Sequence, residues 1–202
     1  MSSCAEVNEE FTLRNGDLLF QVNADSQMSS AIHDATARGN TMPYTHAAMA
    51  EVGEDGSVRI IEATGARGVC RTELDDFLGR SAQIDGRPAV AVFRVRAAEE
   101  EITAAVERAA GFIGQPYDWW YLPDNDRMYC SELLYECFLR ADGGHIFTAR
   151  PMNFRAADGS MPDFWTELFE SLGEPVPEGV DGTNPADMSQ ECCIEEVYRY
   201  FE

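Results

Sequence analysis

Cleavage of an amide or ester by a protein nucleophile needs an attacking atom, a base within hydrogen-bond reach, and a group that holds the base in the right tautomer. The chain offers six cysteines and three histidines from which to choose. Cys130 opens a stretch whose Leu133, Leu134, Cys137 and Phe138 fall on one helical face. A thiol in the first turn of a helix sits at the positive end of the dipole, which favours its thiolate. Cys137 lies two turns further along the apolar stripe and reads as packing. Among the histidines, His33 falls in a polar helical stretch and His145 follows Gly143-Gly144 in a loop. His46 begins a run of small apolar residues, Ala47, Ala48, Met49 and Ala50, which sets it at the edge of a core.

The third group comes from a hairpin. Residues 45–52 and 57–63 read as two strands around Gly53-Glu54-Asp55-Gly56. If the loop is the three residues Gly53 to Asp55, position 46 faces position 62, and Glu62 lies across from His46 with Cβ atoms ~5 Å apart. A four-residue loop puts Ala63 across instead, and a bulge is then needed to restore the pair. Glu62 is the charged residue in Ile60-Ile61-Glu62-Ala63, and an acid among apolar neighbours needs a partner.

The remaining elements must hold these three together. A short strand is expected over 17–22, a helix over 25–38 ending at Gly39, and an apolar strand over 89–95. Ile102, Val106, Ala109 and Ile113 form the stripe of a helix over 99–113. The Cys130 helix is expected to run toward Gly143-Gly144, and another helix starts behind Pro162 and reaches residue 172. The stretch from Gly173, rich in Pro, Gly and Asp, reads as irregular surface chain, and residues 1–15 as a loose tail. The sum is an α+β fold, an antiparallel sheet packed against helices, in one domain spanning 1–202.

Composition narrows the partners. The 36 acidic residues outnumber the 15 basic ones, giving a net charge of -21 spread along the chain, which repels nucleic acid and anionic membrane surfaces. Cysteines 4, 70, 130, 137, 192 and 193 match no zinc spacing, and a domain of 202 residues needs no disulfide framework. Cys192 and Cys193 read as half-buried thiols. No metal or organic cofactor is expected. No stretch approaches the ~20 apolar residues of a membrane helix, so no integral membrane segment is expected. Ser2-Ser3-Cys4 is what a trimmed lipoprotein leader would leave, pointing to the cell envelope; a free N-terminal tail points to the cytoplasm.

Several segments then resemble a known family. Ile113-Gly114-Gln115-Pro116-Tyr117-Asp118-Trp119-Trp120, followed by Tyr129-Cys130-Ser131, is similar to the nucleophile region of the NlpC-type cell-wall peptidases. The stretches Asn15 to Phe20, Thr45 to Met49 and Ile61-Glu62-Ala63 are similar to that superfamily's Gly-Asp strand, its catalytic-histidine strand and the strand bearing the orienting residue. The cysteine segment comes last here rather than first. That order resembles the circularly permuted papain-like amidases, the YaeF/YiiX-like group, over roughly residues 16 to 187.

The resemblance implies a cysteine hydrolase of papain-like fold, with Cys130 as nucleophile, His46 as base and Glu62 as third member. It sets Tyr117 beside the nucleophile, where its hydroxyl would polarise a substrate carbonyl; packing against Trp119 and Trp120 is the competing use. Glu62 departs from the His or amide usual in the cell-wall peptidases, and its charge should favour an imidazolium at His46. Expected substrates are small peptide amides or acyl lipids. Tyr44, Trp119 and Trp120, with Met28, Met42 and Tyr121, would line an apolar cleft unless they are core. Arg67 or Arg71 would have to lie at its mouth for an anionic substrate. A thiol acyltransferase of the lecithin–retinol type, or a non-catalytic lipid- or peptide-binding domain, would use the same residues differently.

Overall fold

The computed structural model describes residues 11–24, 26–36 and 42–201. The elements, in chain order, are β1 (Leu18–Gln21), α1 (Gln27–Thr36), β2 (His46–Val52), β3 (Val58–Thr64), β4 (Gly68–Glu73), α2 (Leu74–Gly79), β5 (Gln83–Ile84), β6 (Arg87–Pro88), β7 (Val90–Val95), α3 (Glu99–Gly111), α4 (Cys130–Cys137), β8 (Arg150–Pro151), α5 (Asp163–Leu172), β9 (Asp181–Gly182), α6 (Pro185–Met188) and β10 (Ile194–Arg199). Six strands form one antiparallel sheet in the order β10-β7-β1-β2-β3-β4, and helices pack against it, as an α+β chain requires.

Strand alternation divides the core in two. Leu18, Phe20, Ala47, Met49, Ile61, Ala91 and Phe93 face one way, against Leu133, Leu134 and Phe138 at α4 and Ala105, Val106 and Ala109 of α3. Leu19, Ala48, Ala50, Ile60, Val90 and Val92 face the other way, against Phe77 of α2 and Leu13. In α3, Glu99, Glu100 and Glu101 occupy the first turn and Arg108 the last, so its charges complement the dipole. Pro162 caps the start of α5, and Gly173 closes it at φ +70°, a left-handed conformation in which a Cβ is costly.

The C-terminal stretch is not irregular throughout. It supplies α6 and β10, which pairs with β7 along the sheet edge. Its alternation is obscured by Glu195 and Glu196 on an exposed edge and by a register shift between Glu196 and Tyr198. β4 is likewise illegible in sequence, because it opens on glycine and carries Arg71 and Glu73. α4 stops at Cys137, short of Gly143: Phe138 turns its ψ to 87° and buries its ring instead. Residues 11–15 are not loose. Phe11 stacks on Tyr198, Leu13 is buried, and the Asn15 side chain accepts a hydrogen bond from the Val52 N–H. Residues 1–10, with Cys4, and Gly39 lie outside the described residues.

One glycine ties the sheet to the segment ahead of α4. Gly68 opens β4 at φ +64°, and a Cβ there would come within 2.1 Å of the Gln115 carbonyl oxygen. The close approach lets the Val69 N–H donate to the Gln115 carbonyl and the Gly114 N–H donate to the Val69 carbonyl, each at 2.9 Å. This contact fixes the run that leads into Tyr117. Gly68→Ala should therefore destabilise the fold by about 2 kcal/mol or more, left-handed strain and overlap adding, as measured by urea unfolding.

Candidate active site

The hairpin between β2 and β3 sets the geometry. Val52 pairs with Val58 and Met49 with Ile61, so the loop is Gly53 to Ser57, two residues longer than the tight alternative. It is closed by the Gly53 N–H donating to the Ser57 carbonyl and the Gly56 N–H donating to the Gly53 carbonyl. In this register Glu62 comes opposite Ala48, and His46 is its diagonal neighbour on the same face, not the residue directly across. Diagonal positions are still within reach of long side chains. Glutamate bridges the gap: Glu62 Oε2 lies 2.7 Å from His46 Nε2.

Glu62 is wholly buried, at 0% exposure, and its anion is held from several sides. The Thr72 hydroxyl on β4 donates to Oε1 at 2.5 Å, as does Arg80 Nη2 from the end of α2. Arg67 Nη2 stands 3.6 Å from the same oxygen and donates to Thr72. Burial alone would raise the Glu62 pKa; the hydrogen bond and charge of His46, then Thr72 and Arg80, overcome it and hold the carboxyl down at about 2. Burial alone would lower the pKa of His46; the hydrogen bonds and charges of Cys130 and Glu62 overcome that and raise it to about 9. Glu62 thus stabilises the fold above its ordinary value of 4.5, and that contribution is lost as pH falls through about 2. The His46 contribution is complete below 6.5 and is lost as pH rises through about 9.

Cys130 arrives from the opposite side of the sheet. It is the first residue of α4, with Tyr129 as N-cap, and only 5% exposed. The β2–β3 ladder ends at Met49 and Ile61, and beyond that end the thiol comes within hydrogen-bonding reach of the His46 ring. With Nε2 engaged by Glu62, Nδ1 is the nitrogen left for sulfur. Cys130, His46 and Tyr117 line one cleft of about 500 Å³ together with Asn23, Ser29 and Arg80.

Tyr117 is buried, its hydroxyl 3.4 Å from that of Tyr121, and burial raises its pKa well above 10, so it keeps its proton. Trp119 packs on the Tyr117 ring and abuts Gly65 at the cleft edge. Trp120 lies half-buried beneath the Arg127 guanidinium. Tyr44, ahead of β2, is in the core against Phe20 and Phe93 and does not line the cleft that His46 shares with Cys130. Arg71 is taken up by Glu51 on the far part of the hairpin. Among the described residues the five cysteines are all free thiols; burial pushes Cys137 well up, and Cys193 up to about 11.

Sequence reasoning missed Thr72 and Arg80, which lie on β4 and at the end of α2, elements it did not detect. It also missed Glu132. This carboxyl is raised to about 8 by burial, against the Tyr129 N–H that it accepts, with Asp118 adding to the shift. It is therefore mostly neutral at pH 7, which keeps a negative charge away from the start of α4. A glutamate three residues past the N-cap was the available signal.

A family model described as permuted papain-like amidase enzyme, YaeF/YiiX, C92 family, matches residues 12–198. The chain is 26% identical over 164 residues to the uncharacterized protein YiiX of Escherichia coli strain K12, covering 81% of this chain and 75% of that protein. A crystal structure of the metalloprotein yiiX from Escherichia coli O157:H7 superposes with a TM-score of 0.75 at 24% identity, covering 95% of this chain and all of that one; this is a likeness of fold. Among the described residues of this chain, no three His, Cys, Asp or Glu side chains are grouped to hold a metal ion.

The clamp on Glu62 has a measurable worth. Thr72→Val removes a hydrogen bond to a buried anion and should cost about 1.5–3 kcal/mol at pH 7, read from denaturant midpoints. The difference should shrink as pH falls toward 2, where Glu62 takes up a proton.

Proposed function

The chain belongs to the permuted papain-like amidase family, and from that premise we propose that it hydrolyses an amide or ester through a thioester on Cys130, with His46 as acid–base and Glu62 as its positioning anion. The observation that supports this reading most is the single cleft shared by Cys130 and His46, with a buried, clamped carboxylate behind the imidazole. An amide or acyl-ester linkage of a small peptide or lipid is the bond attacked.

The steps follow from the charges. Cys130 and Glu62 both favour a proton on His46, and the thiolate is the form of the sulfur that attacks. The thiolate attacks the carbonyl carbon and the oxygen becomes an oxyanion. The backbone N–H of Cys130, one of the donors a helix start leaves unpaired, faces that charge, and the Tyr117 hydroxyl is the second donor. His46 gives its proton to the leaving nitrogen or oxygen as the bond breaks. A water, deprotonated by His46, then hydrolyses the thioester and regenerates the thiolate.

Two substitutions test the assignment. Cys130→Ser should abolish turnover with the far- and near-UV circular dichroism unchanged; retention of full activity would remove Cys130 from the mechanism. Glu62→Gln should lower kcat/KM by about 10²-fold, since proton transfer by His46 is weakened and not lost. In the unmodified protein activity should decline as pH rises through about 9, where His46 loses its proton. In Glu62→Gln that limb should move toward 6.5, the ordinary histidine value, and an unmoved limb would mean that Glu62 does not govern the imidazole.

A further inference from the structure

Both chain neighbours of Cys130 are held by one residue that is distant in sequence. Thr183 donates its backbone N–H to the Tyr129 hydroxyl and its own hydroxyl to Ser131 Oγ, each at 3.0 Å. All three residues are buried, Ser131 completely. The proton transfers proposed above use none of them. An apolar pair of the same shape as Ser131 and Thr183 would pack about as well, so the link between the two hydroxyls calls for a reason other than stability.

Thr183 is itself fixed from either side. Gly182 before it belongs to β9 and pairs with Arg150 of β8, and Asn184 after it caps α6, its side chain accepting the Asp187 N–H at 2.8 Å. A Cβ on Gly182 would come within 2.6 Å of Met152 Sδ and 2.8 Å of the Tyr129 hydroxyl oxygen. The missing side chain is what lets this backbone approach the start of α4. Tyr129 is thereby held at two points, its hydroxyl by Thr183 and its N–H by Glu132 Oε2. Across the same helix start, the Tyr117 run is tied to Met128. The Met128 N–H donates to the Pro116 carbonyl and the Asp118 N–H to the Met128 carbonyl, each at 3.2 Å.

The plane of the Tyr129–Cys130 peptide sets the direction of the Cys130 N–H, and that plane follows from Tyr129, at ψ 170°, and from the first turn of α4, where Ser131 comes next. We propose that Thr183 is a positioning residue for the oxyanion hole: through Tyr129 and Ser131 it aims the Cys130 N–H at the place that the Tyr117 hydroxyl also faces. This inference rests on the reading of Cys130 as nucleophile. As the sulfur bonds to the carbonyl carbon, the π electron pair moves onto oxygen, and the N–H then meets a full negative charge. Alkylation of the same sulfur by iodoacetamide displaces iodide from a saturated carbon and creates no oxyanion.

The two reactions separate aiming from nucleophilicity. The full chain would be reacted with p-nitrophenyl acetate, following p-nitrophenolate release, and with iodoacetamide, the modified residue being identified by mass spectrometry in each case. Thr183→Val removes the hydroxyl and keeps the shape. It should slow Cys130 acylation by at least about tenfold and leave alkylation within about twofold, and Thr183→Ser should bring acylation back to within about threefold of the unmodified rate. Ser131→Ala breaks the same link from its other end, so it should slow acylation alike, and the double variant should be no slower than either single one. Acylation at the unmodified rate, or acylation and alkylation slowed together, would overturn the positioning role and leave the nucleophile standing. A Thr183→Ser variant as slow as Thr183→Val would overturn it as well. Absence of label on Cys130 in the unmodified protein would defeat the nucleophile itself. If Thr183→Val does not fold, Ser131→Ala decides by the same two rates.

Discussion

A carboxylate with no exposure to water cannot keep its charge unless the protein replaces its hydration, and Glu62 is in that position. Its replacement shell draws on separate parts of the chain: His46 from β2, Thr72 from β4 and Arg80 from the end of α2. Each partner satisfies part of the anion, and the anion in return fixes each partner's place. The arrangement is costly to break from any side, since an orphaned buried charge is worse than no charge. It also explains why α2 follows β4 so closely, because the chain delivers both Thr72 and Arg80 to one oxygen.

The consequence for the thiol is indirect. Glu62 does not touch Cys130; it acts through the ring of His46, which it orients by Nε2 and charges by proximity. α4 contributes the thiol from the other face of the sheet, and the early end of the β2–β3 ladder leaves room for the two to meet. Glu132 stays mostly neutral at the same helix start, although the chain as a whole carries a net charge of -21.

The sequence carried the candidate centre further than its setting. Cys130 was legible because helix spacing and a thiol at the first turn coincide, and His46 because small apolar residues follow it. The pairing of His46 with Glu62 was legible only as sharing a face, since the hairpin register turns on whether Ser57 belongs to strand or loop. A longer loop moved the pair from opposed to diagonal, and the length of the glutamate side chain absorbed the difference. Thr72 and Arg80 were hidden for a physical reason: they sit on a polar strand and at the end of a six-residue helix, where neither alternation nor amphipathic spacing is strong. β10 was hidden in the same way by the glutamates of an exposed edge. Tyr44 illustrates the converse, an aromatic whose type suits a binding cleft and which packs in the core against Phe20 and Phe93.

The account depends on one protonation state, and that state can be observed without substrate. With imidazole nitrogens labelled with ¹⁵N, the His46 resonances can be followed from pH 5 to pH 10 in the unmodified protein. The account predicts that both nitrogens carry protons at neutral pH and that the ring titrates with a midpoint near 9, as its interactions with Cys130 and the buried Glu62 anion require. A His46 that is already neutral at pH 7 would contradict it, because the buried anion behind the ring would then not be holding a proton there.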